Sequence, residues 1–290
     1  MDKGFTNAGR LFAPLLLLTS APVFAESSEL SLEDYEDMER TMESVVVTAT
    51  RTEASVLEVA EAVSVVGEDD IRQLAPEMLA EMARGVPGAF FQQTTPGQGI
   101  PIIRGLKGSQ VLHLVDGMRL NNAFFRNAPN QYLGLVDAYA TERVEIVRGS
   151  APSLYGADAM GGVVNVVRPP LPSAPGGESV VHGDVGVAWH DNNEQLQGTA
   201  AVEGAFGGFG WRLGLVARDT GDIETPDGEL ENTDYEQINA DAAVGLSGTW
   251  GSAQLRWNHW DNNVGFYFPA GNPSNGFRLD LEDDFLAAEA

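Results

Sequence analysis

Apolar and polar positions change their period several times along this 290-residue chain. In ESVVVTATR, residues 43–51, three valines precede alternating Thr and Ala, a β-strand pattern with no obvious partner nearby. VSVVG then reads as a short strand. Glu68, Asp69 and Asp70 suit a helix N-terminus, and Ile71, Leu74, Met78, Leu79 and Met82 sit at roughly helical spacing. Pro76 splits that helix, and Gly85 and Pro87 end it. From residue 89 short strands follow with Gly punctuation: AFFQQ, IPIIRG, VLHLVDGMRL, ERVEIVRG and GGVVNVV. Asp116-Gly117 between apolar runs predicts a hairpin, and APSLYG, 151–156, predicts one helical turn.

Beyond the proline-rich RPPLPSAPGG the period becomes a sustained 2. Val181, Val185, Val187 and Trp189 oppose His182, Asp184 and His190. Leu196, Val202 and Phe206 oppose Gln195, Gln197 and Glu203. Phe209, Trp211, Leu213 and Leu215 oppose Arg212 and Arg218. Ile238, Ala240, Val244, Leu246 and Trp250 oppose Gln237, Asn239, Asp241 and Ser247. Leu255 and Trp257 oppose Gln254, Arg256 and Asn258. Five strands of about ten residues, joined alternately by tight turns and a long 219–235 loop, fit an outer-membrane barrel. Phe206, Phe209, Trp211 and Trp250 are expected at the inner interface, and Trp189, Tyr235 and Trp260 at the outer one. Everything after Asp261 reads as a further long loop. A soluble β-sandwich shows the same alternation, but not the alternating loop lengths or the aromatic placement.

Charge and composition narrow the picture. Residues 1–25 have a basic n-region, a short apolar run and a small residue at Ala25, the pattern of a cleaved export signal. Residues 26–43 form an acidic leader. The net charge of −25 argues against nucleic-acid partners, and the absence of Cys excludes disulfides and thiolate chemistry. The four His residues lack metal-ligand spacing on a helix, and no enzyme constellation or cofactor site stands out. Asp222, Glu224, Asp227 and Glu229 could approach a cation, but their irregular spacing reads as a solvated external loop. Arg104, Arg143, Glu145 and Arg148 fall in strand contexts within a nearly charge-balanced segment. There they could pair with a polar barrel wall by individually weak ionic contacts.

At this point the sequence resembles the TonB-dependent outer-membrane receptors, from about Ser44 to Pro170. ESVVVTATR looks like the TonB box, with Ser44, Val45, Val46, Val47, Thr48, Ala49 and Thr50 as partner-binding positions. IPIIRGLKGSQVLHLVDGMRLNN is similar to the family's IRG stretch, Arg104-Gly105, followed by its VDG hairpin, Asp116-Gly117. ERVEIVRGSAPSLYGADAMGGVVNVV resembles the closing signature of the plug. Arg143, Glu145, Arg148, Gly149, Tyr155, Gly156, Gly161, Gly162 and Asn165 are all in pattern.

The resemblance implies an α+β plug domain followed by the first strands of an antiparallel transmembrane β-barrel, 22-stranded in the family and incomplete here. The expected order is signal peptide 1–25, flexible leader 26–43, box 44–51, plug 52–170, linker 171–178 and about five barrel strands in 179–290. It implies uptake of a scarce nutrient, an iron chelate, haem or a cobalamin, powered by TonB of an inner-membrane complex. The implied place is the outer membrane of a Gram-negative bacterium. Plug apices in the family contact ligand, which points to Gln92, Gln93, Gln98, Phe124, Phe125, Arg126, Asn130 and Gln131. Five strands cannot close such a barrel, so a fragment or incomplete coding sequence is expected. The competing reading is a periplasmic plug-like binding module without a pore.

Overall fold

The computed structural model describes residues 46–47, 54–55, 59, 61–74, 76–120, 132–150, 155–156, 158–267 and 276–290. The chain divides into residues 1–42 and 43–290, and all described residues belong to the second unit. Val46–Val47 (β1) and Ala54–Ser55 (β2) pair antiparallel. Ala62–Gly67 (β3) leads directly into helix α1, Glu68–Leu74. The three acids of the first turn face the helix dipole, and the Asp70 carboxylate accepts the Gly67 N–H. Pro76 does separate α1 from a 3₁₀ helix, Leu79–Gly85.

Next come the hairpin β4, Ala89–Thr95, with β5, Gln98–Ile103, then β6, Val111–Val115, and β7, Met118–Arg119. β8, Arg143–Arg148, and β9, Gly162–Val167, complete a five-stranded sheet of order β3-β8-β9-β6-β7. Only β6 with β9 is parallel, and these are its most buried strands, as two covered faces require. Ile71, Leu79, Met82, Val144, Ile146 and Val164 fill one side of the sheet. Leu112, Leu114, Val147, Tyr155 and Val163 fill the other.

The second sheet has six strands in the order β10-β11-β12-β15-β16-β17. These are Ala174–His190, Gln195–Gly207, Phe209–Asp219, Tyr235–Gly248, Gly251–Tyr267 and Gly276–Glu289, all antiparallel. β13, Ile223–Thr225, and β14, Gly228–Leu230, form a hairpin within the long loop. No described helix is long and apolar enough to cross a membrane. One face of the sheet carries a band of exposed apolar side chains, with Val185 at 83% and Val187 at 81% exposed. On the other face Gln195, Gln197, Arg218, Gln237 and Asn262 are buried against the first domain.

The outer edge of the apolar band descends across the sheet. Trp189 and Leu196 share a register level with Asn263 of β16 and Asp280 of β17. On those two strands the outward apolar band stops at Trp257 and Leu286, six residues lower, and the next outward positions are His259, Asp261 and Asn263 on β16 and Asp284, Glu282 and Asp280 on β17. From Trp189 on β10 to Leu286 on β17, over five strand steps at about 3.3 Å per residue and about 4.8 Å per strand, that slope is about 40°, in the range of barrel strand tilts.

Three expectations need correction. β10 starts at Ala174, so most of the segment expected as linker, 171–178, is already strand. The chain before it lies close along the inward face. A Cβ on Gly210 would collide with the Pro172 carbonyl, and one on Gly245 would meet Leu171 Cδ1 at 2.7 Å. The segment after Asp261 is not one long loop: β16 continues to Tyr267 and β17 follows. It misled because the pattern inverts above the apolar band. Asp280, Glu282 and Asp284 face outward while the Phe285 ring lies 5.8 Å beneath the Arg168 guanidinium. Finally, Tyr235 and Trp260 are buried, at 0% and 6% exposed, and face inward. Strand parity places them with Gln237 and with Arg256, Asn258 and Asn262, and parity decides over composition.

Candidate functional site

The two sequence signatures are two copies of one backbone device. Ile103 bridges Leu106 across Arg104-Gly105, and Val115 pairs with Met118 across Asp116-Gly117. All four central residues have positive φ: 51° and 79° in the first turn, 48° and 76° in the second. That is the requirement of a type I′ turn, which Gly meets at its second position without strain.

Each turn then does a different job. Arg104 Nη1 would lie 3.2 Å from a Cβ on Gly149, so that glycine leaves room for the guanidinium. Asp116 accepts the Arg168 backbone N–H at 2.9 Å and the Arg168 Nε at 2.6 Å. Asn165 Oδ1 accepts the Gly117 N–H at 3.1 Å and its amide donates to Glu145. Glu145 is fully buried and pairs with Arg143 at 3.1 Å, and Arg143 also reaches Glu142. Arg148 donates to the Pro87 carbonyl at 2.6 Å. Thus Arg143, Glu145 and Arg148 lock the first domain to itself. Tyr155 packs into its second cluster, Gly156 has φ 91°, and a Cβ on Gly161 would meet Leu106 at 2.8 Å.

The contacts to the strand wall join polar-face residues of the alternating strands to plug residues that carry no sequence signal. Arg168 Nη1 donates to Asn258 at 2.7 Å, and Arg256 Nη2 to the Pro169 carbonyl at 2.8 Å. Asn239 donates to the buried Asp137 at 2.5 Å, and Thr95 Oγ1 to the Gly265 carbonyl at 2.7 Å. Arg218, 4% exposed, donates to Gln197, Gln237 and the Glu77 carbonyl at 2.8, 2.5 and 2.8 Å. Asn193 and Gln93 converge on the Glu77 carboxylate, both at 3.4 Å. Among the described residues, Arg72, which meets Asp184 at 3.5 Å, makes the one ionic contact between plug and wall with both side chains about half exposed. The inward parity of Arg218, Asn239, Arg256 and Asn258 was legible. Their partners on the plug were not, because those lie 87 to 141 residues away in sequence.

Two groups outside the strands of the wall shift in acidity. Hydrogen bonding to Glu68 holds the Arg72 guanidinium above its ordinary value. Burial pushes the Glu81 carboxyl up, while Arg84 and the Met78 and Glu77 amides pull it back.

Removing the Arg218 side chain leaves Gln197, Gln237 and the Glu77 carbonyl without their buried donor. Arg218→Met is expected to loosen residues 76–85 by about 2–4 kcal/mol. Amide exchange there accelerates on the order of a hundredfold, with β10–β12 unchanged. Exchange unchanged at 76–85 would refute the clamp.

Val46 and Val47 are the residues of the proposed box that are described, and they are paired: Val46 with Ser55 and Val47 with Ala54. The expectation that no nearby segment pairs with the strand is therefore corrected. Ser44, Val45, Thr48, Ala49 and Thr50 lie outside the described residues, as do Phe124, Phe125, Arg126, Asn130 and Gln131. Of the remaining expected ligand contacts, Gln92 accepts from Lys107 at 3.4 Å and Gln93 donates to Glu77. Gln98, beside the Pro96-Gly97 turn, is 1% exposed with both amide atoms unpartnered. In the acidic loop, Asp222 caps the Thr233 and Asp234 amides, and Arg278 clamps Asp234 with two 2.7 Å bonds. No cluster of metal-ligating groups occurs among the described residues.

A small mixed domain held by polar contacts against the inward face of a tilted, outwardly apolar sheet is the arrangement of a plug against part of an outer-membrane β-barrel wall, of which the six described strands form an open portion. Comparison with known proteins agrees. Residues 55–163 match the family model of the TonB-dependent receptor plug domain. The chain is 31% identical over 256 residues to the vitamin B12 transporter BtuB of Vibrio vulnificus (strain CMCP6), covering 84% of this chain and 39% of that protein. It is 32% identical over 210 residues to the vitamin B12 transporter BtuB of Photobacterium profundum, covering 69% and 32%. Among solved structures it resembles the copper transporter OprC, with TM-score 0.60 at 17% identity over 70% of this chain and 31% of that one. The pyoverdine outer membrane receptor FpvA of Pseudomonas aeruginosa PAO1 gives 0.61 at 17% identity, covering 77% and 32%. The chain belongs to the TonB-dependent outer-membrane receptors of Gram-negative bacteria, as a plug domain and the first strands of the barrel. It spans about two fifths or less of the length of these relatives.

Proposed function

We propose that the protein imports a scarce nutrient across the outer membrane, driven by TonB through the box at residues 44–51. The observation that carries this reading is the plug itself. A domain seated by side-chain hydrogen bonds against a polar wall can be rearranged without exposing a hydrophobic interface. Export by a signal peptide at 1–25 and a flexible leader at 26–43 belong to the same proposal. So does ligand contact at the plug apex, through Gln92, Gln93, Gln98 and the 124–131 segment. Among iron chelates, haem and cobalamins, a cobalamin is the ligand to try first, because the relatives matched in sequence are named as vitamin B12 transporters. The alternative of a soluble periplasmic binding module fits poorly with the exposed apolar band of β10–β12 and β15.

The test is uptake of labelled cyanocobalamin by cells in which this protein is the sole candidate receptor, with and without an uncoupler. Surface binding is expected in both cases, and accumulation only in energised cells. Accumulation indifferent to the uncoupler would refute energised import. Absence of cobalamin binding, with binding of a ferric chelate, would reassign the ligand.

A further inference from the structure

Hairpin turns normally lie at the surface, but the tip of the β4–β5 hairpin is covered: Thr95, Pro96, Gly97 and Gln98 are all buried. What covers it is the base of the long loop between β12 and β15. The Tyr235 ring lies over Gly97, where a Cβ would stand 3.1 to 3.3 Å from three of its atoms. Thr95 Oγ1 donates to the Gly265 carbonyl at 2.7 Å, and the Gly265 N–H donates to the Asp234 carbonyl at 3.0 Å. A Cβ on Gly265 would meet the Asn232 carbonyl oxygen at 2.6 Å, so the loop closes on this position only over a glycine. At the other end of the loop, the Gly221 N–H donates to the Asn193 carbonyl at 2.8 Å, and Asn193 Nδ2 donates to the Glu77 carboxylate. Thr220 and Tyr235 tie the two ends together. The Thr220 N–H donates to the Tyr235 carbonyl at 3.0 Å, and the Tyr235 N–H to Thr220 Oγ1 at 2.8 Å. Both ends of the loop are thus held by wall residues that the plug holds in turn.

The loop itself is folded. Asp222 accepts the Thr233 and Asp234 amides at 2.7 and 3.1 Å, the Ile223 N–H donates to Thr233 Oγ1 at 2.8 Å, and Thr233 Oγ1 donates to the Leu230 carbonyl at 2.7 Å. β13 and β14 pair above that knot. A loop bonded this closely carries a position set at its base out to its tip. We infer that the β4–β5 hairpin is the positioning element of the 221–234 loop, through Thr95 and Gly97, and that the loop so placed is the wall's half of the ligand site. The inference rests on the import reading above. The same hairpin carries Gln92 and Gln93, so one element of the plug sets the spacing between its own ligand contacts and those of the loop. Thr95 and Gly97 act through the loop and touch no ligand themselves, since both are buried beneath it.

Thr95→Val keeps the shape of the side chain and removes the donor to Gly265, leaving a buried carbonyl unsatisfied. Amide exchange at 221–234 is expected to accelerate about tenfold, with β8 and β9 unchanged. Thr95→Ser restores the hydroxyl and is expected to restore the parental rate. Thr141→Val is the matched control, because the Thr141 hydroxyl is equally buried but bonds within the plug, to the Asp137 carbonyl at 2.8 Å. It is expected to leave exchange at 221–234 as in the parent. Parental exchange there in Thr95→Val, or equal acceleration in Thr141→Val, would overturn the positioning role. The second readout is the affinity for cyanocobalamin at the cell surface, expected to fall about tenfold in Thr95→Val and to return in Thr95→Ser. Faster exchange with parental affinity would overturn the loop's part in the ligand site. A parent protein that binds no cyanocobalamin would defeat the ligand assignment instead, and exchange at 221–234 still decides the coupling without any ligand.

Discussion

Val46→Pro and Val47→Pro are each expected to abolish energised uptake while surface binding of the ligand persists. A peptide that joins another protein's sheet edge is held by its main-chain hydrogen bonds, and proline deletes a ladder donor. The pairing of Val46–Val47 with Ala54–Ser55 sharpens this expectation. It shows that the segment already takes an extended, ladder-forming conformation within its own chain. A two-residue ladder is too short to persist alone, so a longer edge can replace it. Uptake at the parental rate in both variants would remove the box from residues 44–51. Loss of binding together with uptake would mean that the substitutions act on folding instead.

Gly162→Val is expected to disrupt the plug and spare the barrel strands. Gly162 lies at the start of β9, opposite Arg148 of β8 and beside Val111 of β6. A Cβ there would be driven into the Val147 carbonyl oxygen and would meet Ile103 Cγ2 at 3.1 Å. The carbonyl belongs to the neighbouring strand and cannot turn away without breaking the β8–β9 ladder. The cost is on the order of 3 kcal/mol or more, the upper range for overpacking. Protease nicking within 89–167, with β10–β17 still protected, is the expected readout. Gly67→Ala is the control: a Cβ at Gly67 meets nothing within 4 Å, and that variant should resist protease like the parent. Equal resistance of the Gly162 variant would contradict the packing described at this strand.

Local rules made much of this architecture legible. Asp116-Gly117 announced a type I′ hairpin because both central residues need positive φ, and Pro76 announced a helix break. Period-2 alternation marked both faces of β10, β11, β12 and β15, since lipid and plug make opposite demands on successive residues. The failures share a cause. Tyr235 and Trp260 were assigned by residue type to an interface, although their own parity pointed inward. β17 was missed because its pattern follows the lipid band only at Leu286 and reverses above it. The plug's ties at Glu77, Asp137 and Arg168 were invisible for another reason. A hydrogen bond between residues 90 to 141 positions apart has no periodic signature. Arg143, Glu145 and Arg148 stand out in the sequence as charges that could pair with the wall, but the bonds of Arg143 with Glu145 and of Arg148 with the Pro87 carbonyl close within the plug.

Everything above depends on the alternation of β10–β12 separating lipid from plug. Cysteine substitution at consecutive positions, read in outer membranes, bears on it without intermediaries. Val185→Cys, Val187→Cys and Leu213→Cys are expected to react with a lipid-soluble thiol reagent and resist a water-soluble one. Thr199→Cys and Glu203→Cys are expected to behave in the opposite way. Water-soluble labelling at Val185 and Val187 equal to that at Thr199 and Glu203 would contradict this division of the sheet.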